Sequence, residues 1–148
     1  MTARAGRGAG RRVAEAPAPA VNVVDSSAWL AYFAGEPSAA DFAEAIEATD
    51  RLAVPTVCVL EVFKVVARQR GEGDALRAVA VMQQGAVVDL DPALALSAAR
   101  LGAAHRLPLA DSIVYATARR LGGVVWTQDA DFDGLPGVRY VARPVAGR

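Results

Sequence analysis

The stretch RLPLADSIVYATARRLGGVVWTQDADF, residues 106–132, reads as a helix, a stop, a buried strand and an acidic turn. Pro108 opens a helix over 109–121, and Gly122-Gly123 ends it. VVWT (124–127) is too short and too apolar for anything but a buried strand. Working outward, the same alternation recurs. VNVV (21–24) is a strand that runs into a helix from Ser26 to Ala34, with Ser26 or Ser27 able to cap it. Pro37 and Ser38 open a second helix through Thr49, with Phe42, Ala45 and Ile46 as its apolar stripe. LAV (52–54) is a strand, and Thr56 caps a helix to about Arg70 that Gly71 ends. Residues 74–84 are helical, AVVDLD (86–91) is a strand closed by Pro92, and 93–105 is a helix. VRYV (138–141) is a last, edge strand. Strands separated by helices predict an α/β fold: a three-layer α/β/α sandwich with a central, mostly parallel sheet.

The chain has 148 residues, 53% of them hydrophobic, which suits one domain with a true core. Residues 1–20 hold Arg, Ala, Gly and Pro without hydrophobic period and are expected to form a flexible tail, with the folded domain over 21–148. An alternative is that the native chain starts near Val21, which would enter the first strand at once. The tail has no apolar core of the kind a secretory signal needs. A single cysteine, Cys58, excludes an internal disulfide, suits the reducing cytoplasm and reads as a buried thiol. Net charge is zero, but Arg4, Arg7, Arg11 and Arg12 against Glu15 place +3 on the first twenty residues and −3 on the rest. The folded part therefore lacks the broad basic face of an electrostatic nucleic-acid binder.

Its chemistry lies in acids set among apolar residues: Asp25 in VNVVDSSAWL, Glu61 in VCVLEVFKVV, Asp111 in LPLADSIVY, and Asp129 and Asp131 in VVWTQDADF. Desolvating a lone carboxylate costs several kcal/mol, so each needs a partner. Bland partners exist for each. Asp25 and Asp111 suit helix starts, Glu61 could pair with Lys64 one turn on, and Asp129 and Asp131 suit turns. Together, on an alternating chain whose strand ends carry Asp25 and Asp129, they point to a shared divalent cation and a metal-dependent hydrolase. Val57, Leu60 and Val65 share the general face of Glu61, which would aim it inward or along a groove. His105, the only histidine, suits a helix end, and one His with one Cys excludes the usual zinc site. No phosphate-cradling glycine loop is present.

The blocks VVDSSAWLAYF, LEVFKV, LPLADSIVYATA and WTQDADF resemble a PIN-domain ribonuclease and, more narrowly, the VapC-type toxins of bacterial toxin–antitoxin pairs. The resemblance spans residues 21 to about 143. It implies a metal-binding catalytic quartet of Asp25, Glu61, Asp111 and Asp129, with Asp131 auxiliary and Ser27 and Thr127 as hydroxyl helpers. Asp25 and Asp111 would be the surest ligands, and Glu61 and Asp129 would complete the shell or orient the attacking water. It also implies Mg²⁺ or Mn²⁺ as cofactor, RNA as substrate, a homodimer, and a small antitoxin lying in a groove near the acids. Trp29, Tyr32 and Phe33 are candidate groove walls, and Arg68, Arg70, Arg119 and Arg120 are candidate phosphate contacts. Rival readings include a non-catalytic RNA- or protein-binding module, a solitary nuclease without antitoxin, and a dehalogenase-like phosphatase. The last needs an Asp where Ser27 stands. A receiver domain would need a paired acid near the N-terminus and a late lysine, and neither is present.

Overall fold

The three residues Asn22–Val24 are buried and lie at the centre of the sheet in a computed structural model that describes residues 20–144. The predicted tail, apart from its last residue, lies outside the described residues. The strands are β1 (Asn22–Val24), β2 (Leu52–Pro55), β3 (Ala86–Val88), β4 (Val124–Thr127) and β5 (Val138–Tyr140). The helices are α1 (Ser26–Ala34), α2 (Ala39–Glu47), α3 (Thr56–Arg70), α4 (Glu72–Met82), α5 (Pro92–His105) and α6 (Leu109–Leu121). All pairings are parallel, in the order β3-β2-β1-β4-β5. Central parallel strands are covered on both faces, which is why β1 and β2 are wholly buried while edge strands β3 and β5 are not.

The order of the strands creates the site. The chain steps outward from β1 to β2 to β3, then returns to the other side of β1 as β4. With right-handed crossovers, that reversal sends α5 and α6 to the face opposite α1–α4, giving the three-layer sandwich. The crevice outside the carboxyl ends of β1 and β4 is the switch point where such sheets bind ligands.

Close approach fixes β4 beside β1. Gly122 ends α6 with a left-handed backbone (φ 63°), and Val124 N–H donates to the Val21 carbonyl at 2.9 Å. A Cβ on Gly123 would stand 2.5 Å from that same carbonyl oxygen, so only glycine fits between helix and sheet. Helix α6 is buried without interruption from Asp111 to Ala118. Trp29, Tyr115, Phe42 and Phe132 are the largest side chains in the core.

Several local expectations are corrected. Asp25, not a serine, caps α1, its side chain accepting from Ser27 N–H. Thr56 is the first residue of α3 rather than its cap, because Pro55 enters with extended backbone (ψ 138°) and no side chain caps that end. The second helix stops at Glu47, and Thr49–Arg51 forms a separate 3-10 turn. β3 stops at Val88 rather than running to residue 91, because Asp91 is recruited as the cap of α5, accepting from Leu94 N–H at 2.7 Å. Trp29 is core, 0% exposed, and is not a groove wall.

Candidate active site

Asp25 leaves β1 and turns into α1 at the switch point, where it is 3% exposed. Its Oδ2 accepts from the Ser27 hydroxyl at 2.8 Å, the Thr127 hydroxyl at 2.9 Å and Ser27 N–H at 3.3 Å. Among the described residues no hydrogen bond is directed at Oδ1, so one oxygen is anchored and the other is left to meet a ligand. Burial pushes the Asp25 pKa upward against the pull of the two hydroxyls.

Thr127, the last residue of β4, ties two acids together. While its hydroxyl donates to Asp25, its oxygen accepts from Asp129 N–H at 2.9 Å. Asp129 in turn caps the short 3-10 turn Ala130–Phe132 by accepting from Asp131 N–H at 2.9 Å. The turn reading of these acids and their place in the cluster therefore hold together. One carboxylate oxygen from each of Asp111, Asp129 and Asp131 lies within 4.8 Å of the other two. Asp131, the lowest-weighted acid in the sequence, thus joins the tightest group, because the 3-10 turn folds it back toward Asp111.

Asp111, in the first turn of α6, is 9% exposed. Its pKa is raised to about 8, first by burial and then by the charges of Asp25, Asp129, Asp131 and Glu61. All five acids therefore act electrostatically on one point. Glu61, half-buried on α3, accepts from the Ser26 hydroxyl at 2.6 Å, and among the described residues it forms no salt bridge with Lys64. Its neighbour Leu60 is 62% exposed, and the charge of the half-buried Glu61 acts on Asp111.

Such a donor set fits a hard divalent cation. Carboxylate oxygens are what Mg²⁺ and Mn²⁺ prefer, and a cation would offset the burial and mutual repulsion that raise the Asp111 pKa to about 8.

Sequence reasoning missed Gln128. It is 4% exposed and accepts from the Ser38 hydroxyl at 2.7 Å, while its amide reaches the Ser27 carbonyl at 3.4 Å and Glu36 at 3.3 Å. Its backbone N–H also donates to the Ser27 hydroxyl at 3.2 Å, which locks the residue that holds Asp25. Nothing in TQDADF distinguishes it, since its partners are far away in sequence. Of the proposed phosphate contacts, Arg120 pairs with Asp91 at 3.0 Å and Arg119 lies over the Tyr115 ring at 5.9 Å, so both are engaged elsewhere. His105 packs edge-on against Tyr115 at 5.5 Å, and Cys58 is buried with its thiol 3.7 Å from the Val24 carbonyl; both are structural, as expected.

A groove of about 460 Å³ runs beside this site between α1, α3 and α4. Leu30, Phe33, Val65 and Val81 supply its apolar lining, and Arg70 and Arg77 are among its charged residues.

The PIN domain family model matches residues 23–138, and the chain belongs to that family. No curated protein sequence matches it. Its fold is similar to a toxin–antitoxin complex from Klebsiella pneumoniae (TM-score 0.70, 22% identity, covering 83% of this chain and 99% of that one). It is also similar to the sarcin-ricin loop cleaving toxin VapC20 of Mycobacterium tuberculosis (TM-score 0.64, 21% identity, 83% and 99% covered). DNA-bound VapBC of Salmonella typhimurium is similar as well (TM-score 0.64, 17% identity, 83% and 98% covered).

Proposed function

We propose that the chain is a metal-dependent endoribonuclease that acts as the toxin of a toxin–antitoxin pair. The observation that carries this is the convergence of Asp25, Glu61, Asp111, Asp129 and Asp131 on the switch-point crevice of a PIN domain, with the Asp111 pKa raised to about 8. Asp111, Asp129 and Asp131 would hold Mg²⁺ or Mn²⁺, with the charge of Asp25 acting on the same cluster. Such an ion supplies an acidified water and neutralises charge on the phosphate. The chain's own residues do the positioning. Ser27 and Thr127 fix the Asp25 carboxylate, Ser26 fixes Glu61, and Glu61 is placed to orient the attacking water.

The groove beside the site supports an antitoxin partner. Its apolar lining suits the hydrophobic face of a short amphipathic segment, and Arg70 suits an acidic residue on it. The exposed Leu60, Leu96 and Leu109, the last 82% accessible, favour association with a second copy. Light scattering that reports a single copy at every concentration would remove the homodimer from this reading.

Cleavage of RNA by the purified protein with Mg²⁺ or Mn²⁺ tests the proposal. Asp25→Asn and Asp111→Asn should reduce cleavage to background and relieve toxicity on expression; full activity in either would overturn the assignment. A short upstream reading frame with a DNA-binding N-terminus would identify the antitoxin gene. Its absence would favour a solitary nuclease, and intact RNA in every metal would favour a binding module.

A further inference from the structure

A second, smaller cavity has Asp129 in its wall and shares Gln128 and Arg143 with the larger groove. It measures about 420 Å³ and is lined by Gln128, Asp129, Ala130, Tyr140, Ala142 and Arg143. The β4–β5 ladder builds it. Tyr140 pairs with Thr127, and Val141 N–H donates to the Thr127 carbonyl at 2.9 Å, carrying the ladder one residue beyond β5. Ala142 and Arg143 therefore emerge at the same carboxyl edge as Asp129.

Arginines of α6 and β5 already have partners. Arg139 lies over the Trp126 ring at 4.9 Å, Arg119 over Tyr115 at 5.9 Å, and Arg120 pairs with Asp91 at 3.0 Å. Arg143 is exposed and has neither a carboxylate nor a ring as partner among the described residues. A cluster of five acids repels a polyanion, so a substrate phosphate needs fixed positive charge beside the metal-binding edge. The cavity's size falls within the range of small-ligand sites, about 300–1,000 Å³, and the half-buried Tyr140 and the exposed Arg143 line it together with Asp129.

On the reading of the acids as a ribonuclease site, we infer that this cavity is a nucleotide subsite for single-stranded RNA adjoining the scissile phosphate. Tyr140 stacks on the base and Arg143 pairs with the phosphate. Arg143 was not among the arginines the sequence singled out, because only the extension of the ladder past β5 brings it to Asp129.

The test uses Asp25→Asn protein with Mg²⁺ and a short fluorescein-labelled single-stranded RNA of mixed sequence, with binding followed by anisotropy over a range of salt. Adding Arg143→Gln should weaken binding and reduce the slope of log affinity against log salt by about 0.7, the loss of one phosphate contact. Adding Tyr140→Ala should weaken binding roughly five- to 150-fold at unchanged slope, and Tyr140→Phe should restore it, as stacking requires. Unchanged affinity and slope in the Arg143→Gln protein, when the unmutated chain cuts RNA, overturn the subsite and leave the nuclease standing. If the unmutated chain neither binds nor cuts RNA with Mg²⁺ or Mn²⁺, both readings fall together.

Discussion

Thr127 joins two strand-end acids through one oxygen, donating to Asp25 and accepting from Asp129 N–H, each at 2.9 Å. Thr127→Val keeps the volume and removes both bonds. It should cost about 1–3 kcal/mol of stability, the penalty for buried polar groups left without partners. It should also reduce metal affinity or cleavage roughly 10- to 100-fold, as expected when a residue orienting a metal-binding acid is lost. Chemical denaturation and a metal titration of the cleavage rate would measure the two effects. Unchanged stability and rate would show that the hydroxyl is incidental. At this scale the acids were legible because a carboxylate in an apolar run demands an explanation from composition alone. The weight given to each was not, since Asp131 is grouped with Asp111 by a turn that three residues make locally and a helix from elsewhere completes.

The decisive element is the α5–α6 pair, because it presents Asp111. At Gly102 on α5 a Cβ would lie 2.9 Å from the Ser112 Cβ, next to Asp111 in sequence. Gly102→Ala must push the two helices apart. We expect a loss of about 1–3 kcal/mol from overpacking, read by urea denaturation, together with weaker metal binding as Asp111 is displaced. A stable variant with unaltered metal binding would show that the pair tolerates the shift. The elements themselves were mostly readable from period and punctuation, as Leu109–Leu121 and Val124–Thr127 match the predicted bounds. Among the misjudged ends were those at Thr56 and in AVVDLD. Both involve a residue with two local options, and packing chose between them: Asp91 went to cap α5, and Pro55 carried the chain into α3 uncapped.

For the whole molecule, the acids should couple stability to pH and, on the proposed reading, to metal. Asp111 has a pKa of about 8 in the folded chain against an ordinary 3.8, so between those values the folded state retains a proton that the unfolded chain releases. Its stabilising effect is complete below about pH 3.8 and is lost as pH rises through about 8. In chelator, the Tm should therefore fall on going from mildly acid to mildly alkaline buffer, and Asp111→Asn should flatten that decline. Adding Mg²⁺ or Mn²⁺ should raise the Tm, by an amount equivalent to about 2.7 kcal/mol when the ion is at a hundredfold excess over Kd. Calorimetry that finds neither a pH slope in chelator nor a shift with metal would leave the acids without a common ligand.

The sequence alone determined the alternation of strands and helices, the parallel sheet and the five acids, because short-range hydrophobic period and the cost of desolvating charge are written in neighbouring residues. Tertiary structure decided what period cannot encode. The strand order β3-β2-β1-β4-β5 placed the ends of β1 and β4 side by side, and Thr127 and Gln128 found their hydrogen-bond partners there on distant segments. Contacts across that sheet edge depend on which strands become neighbours, and adjacency in space is a property of the folded chain rather than of any stretch within it.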